Sequence, residues 1–124
     1  MAITWVQIFR KGQGMGSEYI EEQATIYTDV AAADDGEWWS TAGLISLTVE
    51  IADMTTGTVK IGTSFVTDKP AATEDGTDAV TAPTAAGITG IEGSKFGRWA
   101  KIHQHALTTG TPTIKAIRRR YIGV

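Results

Sequence analysis

His103 and His105 are the only histidines in the chain, and they stand two positions apart in the run Arg98–Leu107, RWAKIHQHAL. In an extended strand, side chains at i and i+2 share a face, so this pair presents two imidazoles about 7 Å apart along the strand. Neutral imidazole is the commonest protein ligand for transition metals, and an HxH pair on a strand is half of such a site. A catalytic zinc site needs a third protein ligand and outer groups that orient the imidazoles, and spacing alone identifies no third partner. His103 and His105 are therefore weak metal candidates. An exposed or partly buried pair is the plainer reading, and no cofactor is expected.

The other residues able to do chemistry form no constellation. Ser17, Ser40, Ser46, Ser64 and Ser94 all lie outside a GxSxG nucleophile elbow. Glu50, Asp53, Asp68 and Glu74 could supply a glycosidase-type acid pair, but position cannot pair them without a fold. Asp34, Asp35 and Glu37 are the densest acidic cluster; they fail the EF-hand pattern and read as a solvated turn, with a loose divalent site as the alternative. Gly12, Gly14 and Gly16 have neither phosphate-loop spacing, and no helix follows them, so they read as a flexible loop. On these grounds the chain is not expected to be an enzyme.

The elements that would position these residues are strands. Leu44–Val66 reads as a long β-hairpin: Ile45, Leu47, Val49 and Ile51 alternate with polar residues, as do Val59, Ile61, Thr63 and Phe65, with a turn expected at Asp53–Gly57. Residues 3–9 form a short β-prone run, with Ile3 and Trp5 facing one way and Val6 and Ile8 the other, either an edge strand or an arm to a neighbour. A further strand is expected at Glu22–Thr28. Trp38 and Trp39 follow an Asp-Gly turn signal; being adjacent they point to opposite faces, so at most one enters a given core and the other is exposed or buried against a partner, with a structural role for both as the main reading. Residues 67–87 are rich in Ala, Thr, Asp, Pro and Gly and read as a long surface excursion with one short strand near Val80. Short strand structure is expected at Ile88–Gly93, then a strand at Arg98–Leu107, a turn at Thr108–Thr111, and a bulged closing strand at Thr113–Val124. The repeated Thr-Thr-Gly-Thr at 55–58 and 108–111 points to two similar hairpins, one in each sheet. The expected fold is thus all-β: an antiparallel, jelly-roll-like β-sandwich of about eight strands. Residues 1–20 form an N-terminal arm or edge strand with its glycine-rich loop, and residues 21–124 form the single domain.

Composition bounds the partners. The chain has 124 residues, no cysteine and a net charge of −3, so disulfides and thiolate metal sites are excluded. No apolar run approaches the roughly 20 residues of a membrane span, and the order of the N-terminal residues is wrong for a secretory signal. Charge is uneven: residues 1–92 hold all 14 acids, whereas residues 93–124 hold seven bases and no acid. Either basic strands pair with acidic ones inside the sheet, or the surface is two-signed and docks on copies of itself or on an acidic partner. Arg118, Arg119 and Arg120 are too short a run for a nucleic-acid face, because alternation sends Arg119 to the opposite side from its neighbours.

The order of features in residues 36–124 resembles the small β-sandwich or jelly-roll proteins of tailed-phage particles. The tokens are Trp38-Trp39-Ser40-Thr41-Ala42-Gly43 before LISLTVEI, then TGTVKIGTSFV, the Thr/Ala/Pro-rich excursion, GRWAKIHQHAL and TTGT. The likeness is to capsid decoration (cement) proteins above all, and next to tail or baseplate accessory proteins. It implies a homotrimer on a capsid lattice, in contact with the major capsid protein, made in the host cytoplasm and carried on the virion, with no enzymatic residue. The expected contacts are Ile3, Trp5, Arg10, Lys11, Trp38, Trp39, Arg118, Arg119, Arg120 and the 67–87 excursion. A carbohydrate-binding sandwich using Trp38 or Trp39 as a stacking platform is the alternative binding module, and a hydrolase or metal enzyme using His103 and His105 is a third reading.

Overall fold

The computed structural model describes residues 3–11 and 18–122. The glycine-rich loop expected around residues 12–17 lies outside the described residues. In chain order the strands are β1 (Val6–Arg10), β2 (Tyr19–Tyr27), β3 (Trp38–Ser40), β4 (Leu44–Ser64), β5 (Thr77–Asp78), β6 (Gly87–Glu92) and β7 (Trp99–Tyr121). A single 3-10 turn at Gly93–Lys95 precedes β7. Among the described residues the fold is all-β and antiparallel, with seven strands against the eight or so expected.

Two strands organise the rest. β4 runs for 21 residues and β7 for 23, and they pair antiparallel from Leu44↔Arg120 to Ser64↔Trp99. The expected hairpin within Leu44–Val66 does not form: β4 is one strand, and its partner throughout is β7. The turns expected at Asp53–Gly57 and Thr108–Thr111 are likewise absent as turns. Their residues lie opposite one another, Met54↔Gly110 and Thr56↔Thr109, at the cluster of register shifts in the middle of the ladder. Asp53 and Gly110 both take positive φ there, at 62° and 111°. A Cβ on Gly110 would stand 2.5 Å from the Asp53 carbonyl oxygen, so a larger residue is refused on both counts. The Thr-Thr-Gly-Thr echo thus marks two facing bulges, which bend a long two-strand ladder rather than close two hairpins.

The bend divides the sheet into two layers that share one core. On one side β1, β2, β7, β4 and β6 lie in that order; on the other, β3, β7, β4 and β5. Leu47, Val49, Ile51, Ile91, Ile114 and Ala116 come from the first layer, and Trp39, Val59, Ile61, Ala100 and Ile102 from the second, and all pack in one cluster. This is the sandwich-like arrangement that the period-two pattern requires. Burying a Leu, Ile or Val contributes roughly 2 kcal/mol, against under about 1 kcal/mol for an exposed ion pair, so this core rather than the surface charge holds the fold. A bulge in the closing strand is not needed: residues 114–121 pair regularly with β2 apart from a shift on the β2 side at Thr25/Tyr27. Ile114 and Ala116 face the core, while Ile117 lies on the other face.

Candidate metal centre

Alternation puts Trp38, Lys101 and His103 on the outer face of the second layer, yet all three are buried. The excursion from residue 67 onward covers them. It does so through backbone carbonyls more than through apolar side chains. The Trp38 indole N–H donates to the carbonyls of Ala71 and Glu74 at 3.1 and 3.2 Å. Lys101 Nζ donates to the carbonyls of Ala72 and Glu74 and sits 5.5 Å from the centre of the Trp38 ring. Gly76, at φ +69°, lets the chain turn down onto the indole; a Cβ there would stand 2.6 Å from the ring edge. The short β5 then fixes the segment to β4 through Gly62↔Asp78 and Thr63↔Thr77.

This covering segment brings Asp75 to the histidines. Asp75 Oδ1 lies 3.3 Å from His103 Nε2, and Oδ2 lies 3.6 Å from His105 Nδ1. One donor atom from each of the three residues can be chosen so that all lie within 4.8 Å of one another. The two rings stand edge-to-face with centres 5.5 Å apart, confirming that they share a face. His103 is 2% exposed, and neither of its ring nitrogens has a hydrogen-bond partner; the Asp75 oxygen is close but poorly aligned. His105 is exposed. Asp34, Asp35 and Thr73 complete the mouth of the hollow above the triad.

Charge in the hollow is strongly shaped by burial. Burial, then the neighbouring Lys101 ammonium, pushes His103 down to about 4, so its imidazole is neutral at neutral pH. Burial also lowers Lys101, opposed by the charges of Asp75, Asp35 and Asp34. Asp34 is held below the usual carboxylate range by the Gly36 N–H and by the Tyr27 hydroxyl, which donates to it at 2.8 Å. The Tyr27 phenol is raised, chiefly by burial and then by that same carboxylate. Two imidazoles and a carboxylate are a donor set for a first-row divalent ion, and among the described residues these three could hold one.

The expected contact residues are placed differently from one another. Trp38 and Trp39 are both buried within the chain, at 2% and 8% exposure, one under the excursion and one in the core. Neither offers a partner surface, which removes the stacking platform of the carbohydrate-binding reading. Trp5 packs edge-on against Trp39 with ring centres 5.3 Å apart, and Ile3 is partly buried against the same core, so these residues are inward anchors of the N-terminal run. Arg118 stacks 4.0 Å from the centre of the Trp5 ring and donates to Glu22, as does Arg120. Arg119 points the other way and is paired with Glu21. All three arginines are thus paired across the ladder by two glutamates of β2, Arg118 and Arg120 sharing Glu22. Arg10 pairs with Glu18 at 3.0 Å, and Lys11 sits 5.9 Å from the Tyr19 ring centre.

Asp75 is the residue that sequence spacing could not supply. It sits in a stretch without periodicity, and its only local signal is the Gly76 that follows it. The chain matches no family model, no curated protein and no solved structure.

Proposed function

We propose that the chain is a non-enzymatic assembly protein that docks by strand addition, in the form its sequence resemblance implies: a decoration protein seated as a homotrimer on a tailed-phage shell, against the major capsid protein. The single observation that carries this reading is the β1 edge. All five residues of β1 are exposed, and Val6, Ile8 and Phe9 are apolar and about half open to solvent. An apolar edge strand with unpaired backbone groups is a template for a strand from another chain. The opposite edge of the same layer, β6, is six residues long and carries Ile88 at 71% exposure. Addition of β1 to β6 of the next copy is a head-to-tail contact, which makes a ring such as a trimer when its rotation closes and an open filament when it does not, whereas β1 against β1 makes a two-fold dimer.

Light scattering on a size-exclusion column tests this. A trimer is expected, and Val6→Lys with Phe9→Lys is expected to give a folded monomer that no longer co-sediments with undecorated phage shells. A dimer would assign the β1–β1 contact and overturn the ring. A wild-type chain that stays monomeric at its highest soluble concentration, and leaves shells unbound, would overturn the assembly reading itself.

A further inference from the structure

We infer that Asp75, His103 and His105 form a binding site for one Zn²⁺-class divalent ion, with a coordination position open to solvent. This goes beyond the assembly reading and does not depend on it. Donors around a tetrahedral ion with bonds of about 2.0–2.1 Å stand roughly 3.3 Å apart. The carboxylate reaches His103 through Oδ1 at 3.3 Å, close to that spacing, and His105 through the other oxygen, Oδ2, at 3.6 Å. The widest donor separation, 4.8 Å at most, narrows if His105, whose side chain is 48% exposed, swings toward His103.

The second observation is the state of His103. A buried imidazole with two unsatisfied nitrogens is costly, because polar groups withdrawn from water normally find a partner. Here one of those nitrogens faces the Asp75 carboxylate and the hollow beside His105. A cation between the three supplies the missing partner. Lys101 does not fill that role: its ammonium is directed to the carbonyls of Ala72 and Glu74 and stays 3.9 Å from Asp75. It anchors the loop that carries the carboxylate. Asp34 and Asp35 at the mouth add negative charge that offsets the lysine and attracts a cation. Imidazole nitrogen favours Zn²⁺, Ni²⁺ or Co²⁺ over Mg²⁺ and Ca²⁺, which prefer oxygen-only shells. Bound there, the ion would cross-link the excursion to β7, since Asp75 comes from one and both histidines from the other.

The test uses the full chain without an affinity tag, freed of metal by dialysis against a chelator. ZnCl₂ is titrated by calorimetry, and CoCl₂ by the visible absorption of the bound ion. The expected result is saturation at one equivalent, with Asp75→Asn and His105→Ala each weakening binding by roughly tenfold or more. Asp68→Asn, on the same excursion but outside the triad, should leave binding unchanged. Because His105 is exposed, His105→Ala is expected to fold, and circular dichroism checks this. ZnCl₂ should raise the Tm of the wild-type chain but not of His105→Ala. Absence of saturable binding, or equal binding by wild type, Asp75→Asn and His105→Ala, overturns the site.

Discussion

The two layers of this sandwich treat their outer faces in opposite ways. On the second layer the outer face is roofed by the excursion, and the roof encloses a tryptophan, a lysine and a histidine that would otherwise be wet. On the first layer no chain segment covers the outer face among the described residues, and Val6, Phe9, Ile88 and Tyr121 stay open. The composition is the reverse of what burial usually selects: polar groups lie under cover and apolar groups in water. Polar burial is tolerated on the covered face because the loop's carbonyls meet the indole and ammonium donors. Apolar exposure on the bare face is what a surface completed by another copy would leave.

Substitutions can break this contrast, beginning with the covered face. Trp38→Ala removes the largest side chain beneath the roof, while the Ala71 and Glu74 carbonyls keep the Glu74 N–H and the Lys101 ammonium as donors, so a loss of about 3–5 kcal/mol is expected, mostly from the cavity, read as a fall in the urea midpoint. The arginine run gives a sharper comparison within three residues. Arg118→Ala leaves the Glu22 carboxylate, whose side chain is only 10% exposed, with Arg120 as its remaining partner and removes the stacking on Trp5, and should cost about 1.5–2 kcal/mol. Arg119→Ala, on the bare face, removes a pair exposed at 42% and 23% and should cost about 0.5 kcal/mol. Burial alone would raise Glu22, but the hydrogen bonds and charges of Arg120 and Arg118 prevail and hold it below its ordinary 4.5. The stability it contributes is therefore complete above that value and is lost as pH falls below it. The gap between Arg118→Ala and wild type should narrow in acid unfolding experiments below about pH 4. The smallest effect is expected from Ile88→Thr, within about 0.5 kcal/mol of wild type in monomer stability. Its signature should instead be a smaller mass by light scattering.

The alternation that identified an all-β chain was strong in β4 and β7, and the shared face of His103 and His105 followed from it directly. The central break was harder to interpret. Asp53, Gly57 and Gly110 are the residue types of turns, but a bulge uses the same chemistry, and only the partner strand tells the two apart. The excursion was legible as a surface segment and illegible as a roof. Its lack of large apolar residues concealed that it binds the sheet through its carbonyls, which every residue type carries. For the same reason the cover over Trp38 could not be named in advance, although a structural role for both tryptophans was the main reading, and Asp75 could not be paired with the histidines.

The continuity of β4 and β7 also sets the order in which the chain can fold. No tight turn joins the two strands, so none can start the ladder between them. The nearest pair in sequence, Ser64↔Trp99, is reached only after residues 65–98 close as a loop, and the most distant, Leu44↔Arg120, encloses most of the domain. Loop-closure entropy is therefore met before the main ladder returns any contact, which places this chain among the slow, millisecond-to-second folders. The segment that later roofs the covered face lies inside that first loop. Its docking on Trp38 and Lys101, and any ion that ties Asp75 to β7, would shorten the search by holding the ends of the two long strands together.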